Sequence, residues 1–183
     1  MSERAYASLL TEAISRDPKE TGGVFLGQYE GNGKWYIVEA TDPGLNTVHS
    51  VSYHEMDSKY CNHVYCTTSR LYKKDLFLVG LWHRHPGSLD SFSSIDNTTN
   101  MKYAEAVGNG TLSFLLNFDP KERLTCYYLD WTGDRQYHQV PLLIGDQYFE
   151  GTDYLEYAST EAIWQNRERL QRELVEIGGA RYE

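Results

Sequence analysis

One segment limits the possible folds more than any other: residues 76–82 read Leu-Phe-Leu-Val-Gly-Leu-Trp, without a polar side chain. A strand this continuously apolar is buried on both faces, so its sheet needs helices on either side. Elsewhere, amphipathic helical segments alternate with short apolar strands and turns, which predicts a mixed α/β fold with one sheet flanked by helices. Helices are expected at 3–16, 57–72 and 93–106, and strands at 24–27, 34–39, 76–82, 112–118, 124–131 and 138–144.

The end of the chain differs in character from the rest. Residues 153–177 are rich in charge and predict a helix with a sparse apolar stripe. Such a helix can dock on its own domain, bind a partner or pair with a second copy of itself. Because 183 residues suit one domain with an appendage, we predict a domain over residues 1–147 and a C-terminal helical extension over residues 148–183.

Charge and composition exclude several classes of function. The chain carries 17 basic and 26 acidic side chains, a net charge of −9, whereas nucleic-acid binding needs clustered Lys and Arg. No apolar run approaches the roughly 18 residues of a membrane span, and the N-terminus does not look like a signal peptide. We therefore expect a cytoplasmic protein with no nucleic-acid or membrane partner.

Three cysteines also suit a reducing compartment better than a disulfide framework. Cys61 and Cys66 stand close enough in the sequence to form half of a metal site. However, no second Cys/His pair stands at zinc-finger spacing to complete it. The favoured interpretation is two small buried thiols on a helix.

The residues with the clearest chemical meaning follow the apolar strand. His83 and His85 are two apart, so on a strand both imidazoles point to one face. Pro86-Gly87 turns the chain, and Asp96 lies one turn into the next predicted helix, from which its carboxylate can return to the strand end. Two imidazoles and one carboxylate suit Zn²⁺ with a fourth position open to water, the arrangement of a catalytic zinc.

Each of these residues also has a purely structural explanation. Ser93-x-x-Asp96 is close to a helix capping box, although Ser93 can cap the helix and act in chemistry together. A single histidine at a strand end is more often a satisfied polar residue than a ligand. The combined spacing favours the metal site, whereas the remaining histidines are expected to be ordinary polar side chains: His49, His54, His63 and His138.

Taken together, the motifs resemble the JAMM, or MPN-plus, metalloprotease family. His83-x-His85, followed after seven residues by Ser93-x-x-Asp96, is similar to the family's signature. The family also uses an upstream glutamate before a glycine-containing strand, and Glu20 stands in such a context, although the apolar residues after its glycines are shifted or substituted. The resemblance covers roughly residues 1–145 and implies an MPN, or cytidine-deaminase-like, mixed sheet flanked by helices.

The resemblance implies a role for each residue. His83, His85 and Asp96 would bind one Zn²⁺ per chain, and Glu20 would move a proton from the attacking water to the leaving amine. Ser93 would donate a hydrogen bond to the developing oxyanion. Many family members carry Ser or Thr between the two histidines, where this chain has Arg84. Because that position points away from the metal, Arg84 is expected to contact substrate.

The resemblance also implies a substrate, a ubiquitin-like protein cleaved at the peptide or isopeptide bond after its C-terminus. Stand-alone bacterial members accompany activating-enzyme-like and conjugating-enzyme-like proteins in anti-phage operons of the CBASS or Bil type, and these would be its partners. Two alternative functions stay open: a JAMM peptidase that acts on a sulfur-carrier or phage-tail protein, and a non-catalytic MPN binding module. The acidic balance disfavours a nucleic-acid hydrolase, and the missing Pro-Cys-x-x-Cys disfavours a zinc deaminase.

Overall fold

The computed structural model describes residues 1–178. Local signals set the element bounds, as the first helix illustrates. The Ser2 hydroxyl accepts a hydrogen bond from the Ala5 N–H at its start, and the basic Arg16 complements the helix dipole in its last turn. In chain order the elements are α1 (Glu3–Arg16), β1 (Thr21–Tyr29), β2 (Trp35–Ala40), β3 (Val48–His49), β4 (His54–Glu55), α2 (Ser58–Thr68), β5 (Phe77–Arg84), α3 (Ser94–Val107), β6 (Thr111–Asn117), β7 (Arg123–Leu129), β8 (Tyr137–Gln139), a 3₁₀ turn (Asp146–Phe149), α4 (Thr160–Gln165) and α5 (Arg167–Gly178).

Six of the strands form one mixed sheet in the order β2-β1-β5-β6-β7-β8. β5 and β6 run parallel, and the other neighbouring pairs of this sheet are antiparallel. α3 is the crossover that a parallel pair requires. β3 and β4 form a separate two-stranded hairpin. The predicted fold class, a mixed α/β sheet flanked by helices, is confirmed.

β5 lies inside the sheet between β1 and β6, and its side chains enter two apolar layers. Trp82 packs with Phe25 and Phe114 in the layer that includes the buried side of α1, and the two phenylalanine rings meet edge-to-face at 4.7 Å. Leu81 belongs to the other layer. Residues 79–82 of β5 are buried as predicted, and His83 and Arg84 after them are buried as well, whereas Phe77 at its first position is 57% exposed.

α2 is shorter than predicted. It ends at Thr68 rather than Tyr72, because the residues that follow form backbone hydrogen bonds to the C-terminal extension. The Lys73 N–H, for example, donates to the Glu156 carbonyl at 2.8 Å. The buried positions of this helix are two unpaired cysteines, Cys61 and Cys66, which confirms the interpretation as buried thiols.

Two further differences concern the strands. β8 covers only Tyr137–Gln139, so the predicted strand over residues 138–144 begins one residue early and ends well before residue 144. The β3–β4 hairpin is missing from the prediction altogether. Strands of two residues are too short to leave a periodic pattern in a sequence, and side-chain alternation therefore cannot reveal them.

The predicted helix over residues 153–177 begins late and is broken into α4 and α5. The helical run begins only after Ser159, whose hydroxyl accepts from the Ala162 N–H, and it breaks at Asn166. The extension docks on its own domain through the buried Phe149 and an ion pair of 2.9 Å between Arg70 and Glu173. Residues 179–183 of the extension lie outside the described residues, and the division at residue 147 stays a prediction. Across residues 1–178, no helix is long and apolar enough to cross a bilayer.

Candidate metal centre

The antiparallel pairing of β1 with β5 brings two distant parts of the sequence to one end of the sheet. Thr21 pairs with Arg84 and Gly22 with His83, so Glu20, one residue before Thr21, comes beside the end of β5 that leads to His85. The chain then turns and enters α3, whose first turn carries Asp96. The fold thereby assembles an acid from just before β1, imidazoles from the end of β5 and the residue after it, and a carboxylate from a helix.

Three candidate ligands converge at this place. The ligand atoms of His83, His85 and Asp96 all lie within 4.8 Å of one another. Each carboxylate oxygen of Asp96 faces a different ring, with Oδ1 3.4 Å from Nδ1 of His83 and Oδ2 3.4 Å from Nε2 of His85. Both histidines are buried, and 13% of the Asp96 side chain is exposed. The structure thus brings together the three residues that the spacing selects as ligands.

Buried nitrogens without partners indicate that this group can take a cation. Among residues 1–178, neither ring nitrogen of His83 has a hydrogen-bond partner, and Nδ1 of His85 has none. Each such atom costs about 1–3 kcal/mol when it is left unpaired, and contacts of 3.4 Å to the carboxylate are too long to count as good hydrogen bonds. Two imidazoles and one carboxylate form a donor set that fits Zn²⁺, so the residues present suit the implied metal.

The protonation states of His83 and Asp96 also suit metal binding. Burial lowers the pKa of His83 to about 4, against the opposing charge of Asp96, so this ring is neutral at neutral pH. Burial disfavours the ionised form of Asp96, but contacts with His85, His83 and Ser93 hold the pKa of this carboxyl well below its usual range. For His85, the nearby carboxylate outweighs burial and raises the pKa. A neutral imidazole and an ionised carboxylate are the forms that bind metal.

Glu20 is half-buried, and its backbone is fixed by the residues of the β3–β4 hairpin. The Glu20 N–H donates to the Ser50 carbonyl at 2.7 Å, and the Glu20 carbonyl lies 2.9 Å from Nδ1 of His49. Burial raises the pKa of the Glu20 carboxyl, His85 opposes this shift, and the charge of Asp96 adds to it. A carboxyl whose pKa is raised toward neutrality is suited to accepting a proton and giving it back.

Ser93 is the N-cap of α3 and also orients a candidate ligand. Its hydroxyl accepts from the Asp96 N–H at 3.1 Å, and its own N–H donates to Oδ2 of Asp96 at 2.8 Å. The capping box expected from the sequence is therefore present. A hydroxyl that accepts one hydrogen bond still has its hydrogen to donate, so the exposed Ser93 side chain can serve both the helix and a bound carbonyl.

Comparison with known proteins agrees with this geometry. Residues 2–122, well over half of the chain, match the family of prokaryotic homologs of the JAB domain. The chain belongs to this family. A search of curated proteins gives no match.

Two solved structures are similar to this JAB domain. The first is the solution structure of a protein from Desulfitobacterium hafniense, 15% identical, with a TM-score of 0.52 over 79% of this chain and 92% of that one. The second is the crystal structure of a JAB1/MPN domain protein from Archaeoglobus fulgidus, 14% identical, with a TM-score of 0.41 over 79% of this chain and 96% of that one. At such low identity the first likeness supports the fold alone.

Arg84 of this JAB domain does not occupy the place expected of it. Its side chain is only 3% exposed, which corrects the expectation that it faces a substrate. Nη1 donates to the Lys19 carbonyl at 2.9 Å, Nη2 pairs with the Asp17 carboxylate, and the guanidinium lies over the Phe118 ring. The side chain does point away from its two histidine neighbours, as alternation along a strand requires. It therefore contacts the loop before Glu20 instead of solvent.

His54 lies at the site, although the sequence suggests only an ordinary polar histidine. Its ring centroid is 5.1 Å from that of His83, in an edge-to-face arrangement. Gly22 makes this approach possible, because a Cβ at that position would lie 2.6 Å from Nε2 of His54. Burial lowers the pKa of His54 to about 3. His54 is placed beside His83 by the β3–β4 hairpin, which the sequence pattern does not predict.

The metal-free JAB domain is expected to lose stability as the pH falls below about 6.5. Folded His54 and His83 stay neutral, with pKa values of about 3 and about 4, whereas the unfolded chain protonates both below about 6.5. Because the unfolded state then binds more protons, the free energy of unfolding should fall by about 1.4 kcal/mol per pH unit for each histidine until the pH approaches 4. His85 and Glu20, whose folded pKa values are raised, take up protons first in the folded state and so act in the opposite direction.

Urea titrations of zinc-free protein at several pH values in this window measure the slope directly. The variant His54→Asn should show a smaller slope, by up to about 1.4 kcal/mol per pH unit, since one of the two buried neutral imidazoles is gone. His63→Ala is the matched control, because His63 is exposed on α2 and should leave the slope unchanged. A free energy of unfolding that stays constant across the window would contradict the assignment.

Proposed function

We propose that this JAB domain is a zinc metallopeptidase that hydrolyses the peptide or isopeptide bond after the C-terminus of a ubiquitin-like protein. The observation that carries the proposal is the convergence of His83, His85 and Asp96, with imidazole nitrogens that have no other partner. The family includes non-catalytic members as well as metalloproteases. A domain that only docks partners gains nothing from buried, unpaired imidazoles beside an acid with a raised pKa, so catalysis is the better explanation.

Each residue of the site has its own role in the proposed hydrolysis. Zinc held by His83, His85 and Asp96 would polarise the scissile carbonyl and make a bound water more acidic. Glu20 accepts the proton of the attacking water and delivers it to the leaving nitrogen. Ser93 donates a hydrogen bond to the carbonyl oxygen as negative charge develops there, while its backbone N–H keeps Asp96 oriented.

The substrate class in this proposal comes from the resemblance of the signature and the upstream glutamate to JAMM peptidases. A ubiquitin-like protein ends in an extended tail, and such a tail can align along a strand edge and reach a site at a strand end. In the same system, activating-enzyme-like and conjugating-enzyme-like proteins would supply the conjugates in the cytoplasm, as in anti-phage operons of the CBASS or Bil type.

A cleavage assay with a panel of substrates tests the proposal. The panel contains linear fusions to the C-termini of ubiquitin-like proteins, the corresponding isopeptide conjugates, and fusions to sulfur-carrier and phage-tail proteins. Zinc-loaded wild type should cleave the fusions or conjugates of ubiquitin-like proteins, and Glu20→Gln should not. Cleavage of the sulfur-carrier or phage-tail fusions alone would assign the peptidase to that class of substrate instead. Equal inactivity of wild type and Glu20→Gln on every arm would favour the non-catalytic binding module.

Ser93→Ala should keep zinc but turn over more slowly. Removing the hydroxyl costs α3 its cap, about 1 kcal/mol of stability, and leaves the three candidate ligands in place. If the hydroxyl also stabilises the oxyanion, kcat should fall by about 10²-fold. Zinc content, thermal unfolding and kcat on the cleaved substrate measure these effects separately. Turnover equal to wild type would leave Ser93 as a helix cap only.

A further inference from the structure

Arg84, the last residue of β5, stands between the two candidate histidine ligands in the sequence, but its side chain contacts the segment before Glu20. Nη1 donates to the Lys19 carbonyl at 2.9 Å, and this carbonyl belongs to the peptide bond that joins Lys19 to Glu20. Nη2 pairs with Asp17, two residues earlier. One guanidinium thus holds both ends of the three-residue segment that leads into Glu20.

Apart from Arg84, this segment is tied to the end of α1 by two backbone hydrogen bonds, from the Asp17 N–H to the Ile14 carbonyl at 3.3 Å and from the Lys19 N–H to the Arg16 carbonyl at 2.8 Å. β1 begins only at Thr21, so residues 17–19 lie outside the sheet, and Asp17, Pro18 and Lys19 are all exposed. The hairpin contacts of Glu20 involve its own N–H and carbonyl. The Lys19–Glu20 peptide is thus held at its N–H by the Ser50 carbonyl and at its carbonyl by Arg84, a side chain that is itself 3% exposed and lies over the Phe118 ring.

We propose that Arg84 is a positioning residue that fixes the 17–19 segment and thereby aims the Glu20 carboxylate at the metal centre. The inference rests on the proposed function, because it gives Glu20 a role in proton transfer. Arginine suits the task, since its planar fork can donate to a carbonyl and a carboxylate at once, which a lysine cannot do with the same geometry. A buried ion pair is by itself weak evidence for a stabilising role.

Arg84→Met tests the inference, since methionine retains much of the apolar bulk over Phe118 and has no donor. In full-length, zinc-loaded protein, kcat should fall by about 10–10²-fold with KM and zinc content unchanged, the cost of a misplaced catalytic group. Arg84→Lys should recover part of kcat. Asp17→Asn, at a side chain that is 53% exposed, should lower kcat less, in the same direction.

A double-mutant cycle with Glu20→Gln separates positioning from other roles. If Arg84 acts through Glu20, adding Arg84→Met to Glu20→Gln should slow cleavage by less than about twofold. The inference is wrong if the rate losses of the two single variants multiply in the double variant, or if Arg84→Met raises KM without lowering kcat. Arg84 would then act on substrate or on the fold as a whole.

Hydrogen–deuterium exchange supplies a readout that needs no substrate. Arg84→Met should speed exchange of the Lys19 and Glu20 amides by about tenfold, while amides in α3 and β6 keep their wild-type rates. Unchanged exchange at residues 19–20 would refute the inference whatever the activity. If exchange responds as expected but wild type cleaves no substrate, the proposed function fails, and the contact of Arg84 with the segment is still established.

Discussion

Glu20→Gln is expected to keep its zinc and its fold and to lose about 10²–10⁴-fold in kcat. Glutamine matches the shape of glutamate but cannot accept a proton from water at neutral pH. The contacts that hold this residue against Ser50 and His49 use main-chain atoms, so they do not depend on the side chain. Single-turnover cleavage, set beside zinc content from elemental analysis, separates the loss of chemistry from any loss of metal.

The control for this variant is Glu105→Gln. Glu105 is an exposed acid on α3, the helix that carries Asp96, and the exchange removes the same charge away from the metal centre. Its kcat should match that of wild type. If Glu20→Gln were as active as this control, Glu20 would not be the proton carrier, and the metallopeptidase mechanism proposed for the chain would need another base.

The candidate ligands could be predicted from the sequence because their arrangement depends on short-range geometry. His83 and His85 share a face by strand alternation, and Asp96 follows a capping serine by helix spacing. Each relation spans only a few residues, so it holds wherever the strand and helix form. The same locality explains why the buried strand and the fold class could be predicted from one apolar run and its neighbours.

The surroundings of the site depend on contacts that no local pattern encodes. His54 reaches His83 through a hairpin of two-residue strands, and the burial of Arg84 requires the loop before β1 to cross the end of β5. Strand alternation correctly places Arg84 away from the metal but does not say what lies on that side. The late start of the C-terminal helix has the same origin, because backbone pairing with residues 71–73 competes with helix formation before Ser159.

Asp96→Asn is expected to abolish stoichiometric zinc binding and, with it, all detectable cleavage. Asp96 supplies the one carboxylate of the donor set, and its two oxygens face the two imidazoles at 3.4 Å. An asparagine oxygen can still accept from the Ser93 N–H, so the start of α3 should stay intact. The substitution therefore removes the charge that draws the cation and leaves the helix cap in place, which makes it a cleaner test than an alanine.

Thermal unfolding with and without added zinc measures this loss independently of any substrate. A metal that binds the folded state raises the melting temperature by mass action, so zinc should stabilise wild type and leave Asp96→Asn unchanged. His63→Ala, with its imidazole exposed on α2, should respond to zinc like wild type. Removing zinc from wild type with a chelator should lower its melting temperature and abolish cleavage, and restoring zinc should recover both. A full zinc response in Asp96→Asn would show that the metal binds elsewhere, because His83 and His85 alone leave the site without its only anionic ligand.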